Sequence, residues 1–283
     1  MPVRPFRICD ELRESRCPPF PEQAADTRGR PLSFFRRDRS IGRMRSCREL
    51  SLYLYKCLLI SFDRCISLQE NIVKIDILRY IGAVTREVET RDLGGRPVRV
   101  AIVSCAYDTD IHDLWDAITN AQRIPRWFLP ISGDLRLGGR YQLRGNAGGQ
   151  ITACEPPSRF AVTWEFADQV SWVHVGLTEL SDGGTRLQLE HIAHVPDEFW
   201  SRYGPGAVGV GWDLAIMGLG RHFSTGSAVD ATEAASWLAS QEGKDFVRES
   251  SNQWSQASVA AGANESDAVA AANRTTAFYT GGS

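Results

Sequence analysis

Arg159-Phe-Ala-Val-Thr-Trp-Glu-Phe166 alternates residue by residue between apolar and more polar positions. Phe160, Val162, Trp164 and Phe166 fall on one parity; Ala161, Thr163 and Glu165 fall on the other. Successive side chains of a strand point to opposite faces, so this octet predicts a β-strand with one apolar side. The pattern extends outward. Val173, Val175 and Leu177 share a parity within residues 171–180, and Leu187, Leu189 and His191 share one within 185–195, with Gln188 and Glu190 opposite. Residues 140–144 and 150–154 supply two earlier strands, and the β-branched run 98–106 supplies a first one. Gly138-Gly139, Ala147-Gly148-Gly149, Pro156-Pro157, Ala167-Asp168 and Asp182-Gly183-Gly184 separate them with turn residues. Connections this short make antiparallel neighbours, because parallel strands need long crossovers.

A sheet with one apolar face needs a cover. Val208, Trp212, Ile216, Leu219 and Phe223 recur at i, i+4, i+8, i+11 and i+15, one stripe of a helix over 208–223. After the first strand, Asp108-Thr109-Asp110 offers N-caps for a helix through Leu114, Trp115 and Ile118. A short turn with Ile124, Trp127 and Phe128 follows, stopped by Pro130. The expected fold is α+β: a helix-grip fold in which a curved antiparallel β-sheet wraps around a long C-terminal helix.

Local sequence sharpens this expectation. Tyr107-Asp-Thr-Asp-Ile-His-Asp-Leu-Trp-Asp-Ala-Ile-Thr-Asn120, Arg126-Trp-Phe128, Leu137-Gly-Gly-Arg-Tyr141, the stretch 155–166 and Gly184-Thr-Arg-Leu-Gln-Leu-Glu-His191 together resemble the bacterial AHSA-type proteins. These are named after the activator of the heat-shock-protein-90 ATPase and belong to the SRPBCC, or START-like, superfamily. The resemblance covers about 125 residues and implies a helix-grip domain enclosing an apolar cavity. Its motifs define turns, core and cavity shape, and a fold does not by itself transfer an activity.

The resemblance implies a small-molecule binding protein for a hydrophobic or aromatic ligand. An enzyme of the polyketide cyclase or aromatase kind using His191 or Tyr141, and a chaperone-assisting interaction module, are the alternatives. Cavity candidates are Trp127, Phe128, Tyr141, Trp164, Phe166, His191, Phe199, Trp200, Trp212 and Ile216, since ligand pockets are mostly apolar with a few polar groups. His191 lies on the apolar parity and is the candidate general base; His174 and His194 lie on the opposite parity. Gly204-Pro-Gly-Ala-Val-Gly209 fits G-x-G-x-x-G in form. A dinucleotide site needs that turn directly after a strand in a parallel βαβ unit, so Gly204, Gly206 and Gly209 are read as a loop at the cavity mouth. No G-x-S-x-G motif occurs, and no cofactor or metal is expected.

The 283-residue chain has a net charge of -2, which gives no reason to expect nucleic acid. No apolar run approaches the ~20 residues that span a bilayer, so no membrane contact and a cytoplasmic location are expected. Ala- and Ser-rich residues 227–283 carry Trp237, Leu238, Phe246, Val247 and Trp254, which suit a helical tail broken at Gly262 and available for a homodimer contact. Residues 73–226 form the expected domain. Residues 1–72 hold 13 Arg, one Lys and nine acids, with five of the seven Cys before residue 75. They read as a disordered basic leader with one apolar patch. Arginine and cysteine density falls abruptly near Val73, as it would if an initiating GTG codon had been read through as an internal valine. N-terminal sequencing of the protein from its native host should then begin at position 73; a mature chain beginning at Met1 removes the idea.

Overall fold

The structure is a computed structural model and describes residues 77–282; the leader, with its apolar patch and all five of its cysteines, lies outside the described residues. Eight antiparallel strands form one sheet in the order β1-β2-β8-β7-β6-β5-β4-β3. They are β1 (Val84–Leu93), β2 (Arg96–Tyr107), β3 (Ile131–Gly133), β4 (Arg140–Leu143), β5 (Gly148–Glu155), β6 (Arg159–Phe166), β7 (Gln169–Glu179) and β8 (Thr185–Ala193). Helix α1 (Ile77–Gly82) precedes them, and α2 (Ile111–Thr119) lies between β2 and β3. After β8 come α3 (Asp197–Tyr203), the long α4 (Gly206–Thr225), α5 (Ala231–Ala239), α6 (Gln241–Ala260) and α7 (Glu265–Thr280). This is the expected α+β helix-grip arrangement, and the described residues all belong to one compact unit.

The turn chemistry works as elementary sterics requires. Ala167 and Asp168 both take positive φ in the two-residue turn from β6 to β7, the conformation that matches the twist of the flanking strands. One turn lies elsewhere than the sequence suggests. Gly148 and Gly149 are strand residues of β5, and the chain reverses just before them, with Gly145 at φ 69. Gly149 is needed for a close approach, because a Cβ there would stand 1.9 Å from the Thr163 carbonyl oxygen.

Two strands carry no legible period in the sequence. β1 pairs along its whole length with β2 through a turn at Gly94-Gly95. Its inward parity reads Val84, Arg86, Val88, Thr90, so a cation interrupts the apolar side that periodicity would reveal. β3 has only three residues, too few to show a period.

The long helix also departs from a single stripe. It begins at Gly206, and Val208 is 37% exposed while Asp213 and Met217 are buried. A helix amphipathic in only one direction has one dry face; α4 has two. Ile216 and Leu219 join the sheet core with Leu187 and Leu189. On the far side Val210 packs with Val247 and Tyr279, and Met217 with Ile81 and Phe246. The tail therefore uses its large apolar residues inside the chain: Trp254 is 0% exposed and joins the main core. Each tail helix starts at a side-chain cap, Asp230 for α5, Ser240 for α6 and Asn264 for α7.

A buried ion pair locks this second interface. Arg86 Nε lies 3.0 Å from the Asp213 carboxylate, with side chains 3% and 1% exposed. Ser250 Oγ and Trp254 Nε1 donate to the same carboxylate at 2.5 and 3.1 Å. Arg86 also donates to the Ile81 and Val84 carbonyls. Burial pushes the Asp213 carboxyl up from its ordinary value, opposed by the Arg86 guanidinium and the two neutral donors. Breaking one partner of such a pair leaves a dry charge and costs about 3–5 kcal/mol. Asp213→Asn should lower the unfolding free energy by that order in denaturant titration. Gly209→Ala should also destabilise, because its Cβ would stand 2.2 Å from the Trp254 ring. Wild-type stability in either variant would show that this interface does not hold the helix.

Candidate functional site

Between the concave face of the sheet, α2 and the front of α4 lies a cavity of about 170 Å³. Its walls come from every layer: Ile118 from α2, Trp127 and Phe128 from the turn after it, Tyr141 and Leu143 from β4, Phe160, Val162 and Trp164 from β6, and Trp212, Ala215, Ile216 and Leu219 from α4. Of the expected lining residues, Trp127, Phe128, Tyr141, Trp164, Trp212 and Ile216 line it together. The aromatic rings pack pairwise, Trp127 on Phe128 at 5.4 Å and Trp164 against Trp212 at 5.1 Å between centroids.

Four expected residues lie off these walls. Phe166 has the inward parity but pairs with Gln169 at the hairpin end, beyond the enclosed part of the sheet. Phe199 is 41% exposed on α3 and packs on Tyr203. Trp200 lies under the Arg99 guanidinium and borders a separate polar cleft between the α3–α4 turn and the tail hairpin. His191 sits behind the wall, in contact with the Trp164 and Trp212 rings. The three glycines also serve differently from a mouth loop. Gly204 caps α3 at φ 60, whereas Gly206 and Gly209 are α4 residues whose missing side chains admit Thr275 and Trp254 of the tail.

Other wall residues escaped the sequence reading for an identifiable reason. Ile151 and Cys154 both line the cavity although they are three apart on β5 and so of opposite parity. The register shifts between Ile151 and Ala153, and such a bulge resets which side chains face inward. Val175, Leu187 and Leu189 were legible as inward-facing, but parity alone does not separate a packed core from a wall around empty space.

The polar groups near the cavity are nearly all committed. Trp212 Nε1 donates to His191 Nδ1 at 3.0 Å. An indole nitrogen only donates, so His191 Nδ1 is the acceptor and its proton sits on Nε2, which donates to Ser171 Oγ at 2.9 Å. Ser171 in turn donates to the Trp164 carbonyl. The one basic lone pair of His191 is thus taken, and burial pushes its pKa down to about 4. Tyr141 donates to the Thr163 carbonyl at 2.8 Å, and burial pushes its pKa up. Among the described residues no group of three His, Cys, Asp or Glu side chains is placed to hold a metal, and no helix is long and apolar enough to cross a membrane.

An antiparallel sheet gripping one long helix around an apolar hollow defines the helix-grip class. The family model described as "Activator of Hsp90 ATPase homolog 1-like protein" matches residues 108–224. The crystal structure of CalU16 from Micromonospora echinospora is 30% identical, covering 64% of this chain and 99% of CalU16 at a TM-score of 0.50. Its solution structure gives 31%, 63%, 97% and 0.52. PFC0360w, an HSP90 activator from Plasmodium falciparum, is 25% identical over 34% of this chain and 74% of its own at a TM-score of 0.32. No curated protein matches the chain. The chain belongs to the activator of Hsp90 ATPase homolog 1-like family.

His191 gives a pH test of the wall. Its depressed pKa means that the unfolded chain binds the proton more tightly. Its contribution is complete above about pH 6.5 and is lost as pH falls toward 4, by roughly 3 kcal/mol in all. His191→Gln can still accept from Trp212 and donate to Ser171 but does not titrate. The stability difference between the two proteins should shift by that order between pH 7 and pH 4. A constant difference would mean that His191 is not held neutral.

Proposed function

We propose that this protein binds a small, neutral, aromatic molecule in the cavity between the sheet and α4. The observation that carries the reading is the lining itself: mostly aromatic and aliphatic side chains from six strands, α2, α4 and the turn after α2, with no Asp, Glu, Lys, Arg or His among them. An ionised ligand there would lose its hydration without gaining a counter-charge, a cost of several kcal/mol. A neutral one loses little. The volume sets the scale: an engineered apolar cavity of about 150 Å³ takes benzene, so this one suits one or two rings. Burying roughly 200 Å² of apolar ligand surface gains about 5 kcal/mol before ordering costs, enough for binding without special chemistry.

A cyclase- or aromatase-like reaction draws less support, because His191 and Tyr141 spend the groups they would use on Trp212 and Thr163. A chaperone-assisting role rests on the family's name alone. Native mass spectrometry of the purified protein should find a retained small molecule, or uptake of an added bicyclic hydrocarbon such as tetralin. Ala215 lines the cavity from α4, and Ala215→Phe should fill it and weaken that binding at least tenfold. A protein that takes up no apolar molecule, or an Ala215→Phe variant that binds as well as wild type, would falsify the proposal.

A further inference from the structure

We infer that Trp164 is the polar anchor of the cavity, and that the ligand is a one- or two-ring aromatic bearing one hydrogen-bond acceptor and no charge. This deepens the binding reading above and rests on it. The argument is a count of donors. Four of the lining residues carry an N–H or O–H donor whose proton is already placed. Trp127 Nε1 donates to the Ala117 carbonyl, Trp212 Nε1 to His191, Tyr141 Oη to the Thr163 carbonyl and Thr119 Oγ1 to the Trp115 carbonyl. The Trp164 indole N–H, on a residue of the lining, has no protein acceptor among the described residues, and its nitrogen is accessible rather than sealed in the core. Cys154, the other polar lining residue, offers only the weak donor of a thiol.

Trp164 is also held where an anchor must be held. Its carbonyl closes the chain from Trp212 through His191 and Ser171, and its ring is half-buried against Trp212. The surroundings thus fix both the backbone and the plane of the indole while leaving its N–H unspent. A ligand carbonyl or ether oxygen would take that donor. A carboxylate, by contrast, would find no cation among the lining residues.

The test compares 1-tetralone, tetralin and the ionised 1-carboxylate of the same ring system by ligand-observed NMR or calorimetry. In the unaltered protein 1-tetralone should bind at least as tightly as tetralin although its oxygen costs more to dehydrate, and the carboxylate at least tenfold more weakly. Trp164→Phe should weaken 1-tetralone roughly three- to tenfold, as loss of one hydrogen bond does, and leave tetralin within about twofold. A variant that loses both ligands alike, or neither, overturns the anchor while the cavity reading stands. A carboxylate that binds as tightly as the ketone overturns the requirement for a neutral ligand. Tetralin failing to bind the unaltered protein removes the binding reading itself. Should the variant not fold, the order of affinities in the unaltered protein still decides: tetralin binding more tightly than 1-tetralone refutes the anchor.

Discussion

The carboxylate of Asp213 is the constraint from which the rest of the structure follows. It sits on the back of α4, almost without solvent, and collects Arg86 from β1 and Ser250 and Trp254 from α6. A lone charge there would be ruinous, so every partner must be in place before the interior can close. Three elements far apart in sequence are thereby fixed around one pair of oxygens. Gly209 and Gly206 let the tail helices come close enough for this to happen, with Trp254 and Thr275 occupying the space their side chains would fill.

That arrangement also accounts for the empty space on the other side. Left to the hydrophobic effect, a helix facing an apolar sheet settles onto it until the gap closes. Here α4 is tethered from behind by an ion pair, two glycine contacts and the packing of Val210 and Met217 against the tail. Its front is propped by Trp212, whose indole is tied to His191 and rests against Trp164. Gly218 fits against the Trp127 carbonyl at one edge, where a Cβ would stand 2.5 Å away. Large aromatic rings at the margin and a rigid tether behind keep the middle open.

How much of this a sequence can reveal depends on whether a signal is local. The alternation of Phe160, Val162 and Trp164, the turn at Ala167-Asp168 and the spacing of Ile216 and Leu219 are local, and they were legible. Arg86 was not: a buried cation looks like a surface residue until its partner 127 positions away is known. For the same reason β1 shows no clear period, and Gly206 and Gly209 read as a loop, because what requires glycine there is a helix that follows much later in the chain. The bulge in β5 hid Ile151 and Cys154 by breaking the period on which parity depends. His191 read as a possible base because parity reports which face a side chain occupies, not which of its lone pairs is spoken for.

The division of labour between the two faces of α4 has a further consequence for how this protein can change. Every residue that lines the cavity lies between Ile118 and Leu219, inside the segment that matches the family. Of the anchoring group only Asp213 lies in that segment; Arg86, Ser250 and Trp254 lie outside it. Substitutions on the cavity walls alter the fit of a ligand while the ion pair and tail keep α4 in position. Substitutions at the anchor move the helix and change the cavity without touching it. The residues that line the cavity and those that tether α4 thus lie mainly on opposite sides of one helix, with Trp212 serving on the cavity side as both wall and prop.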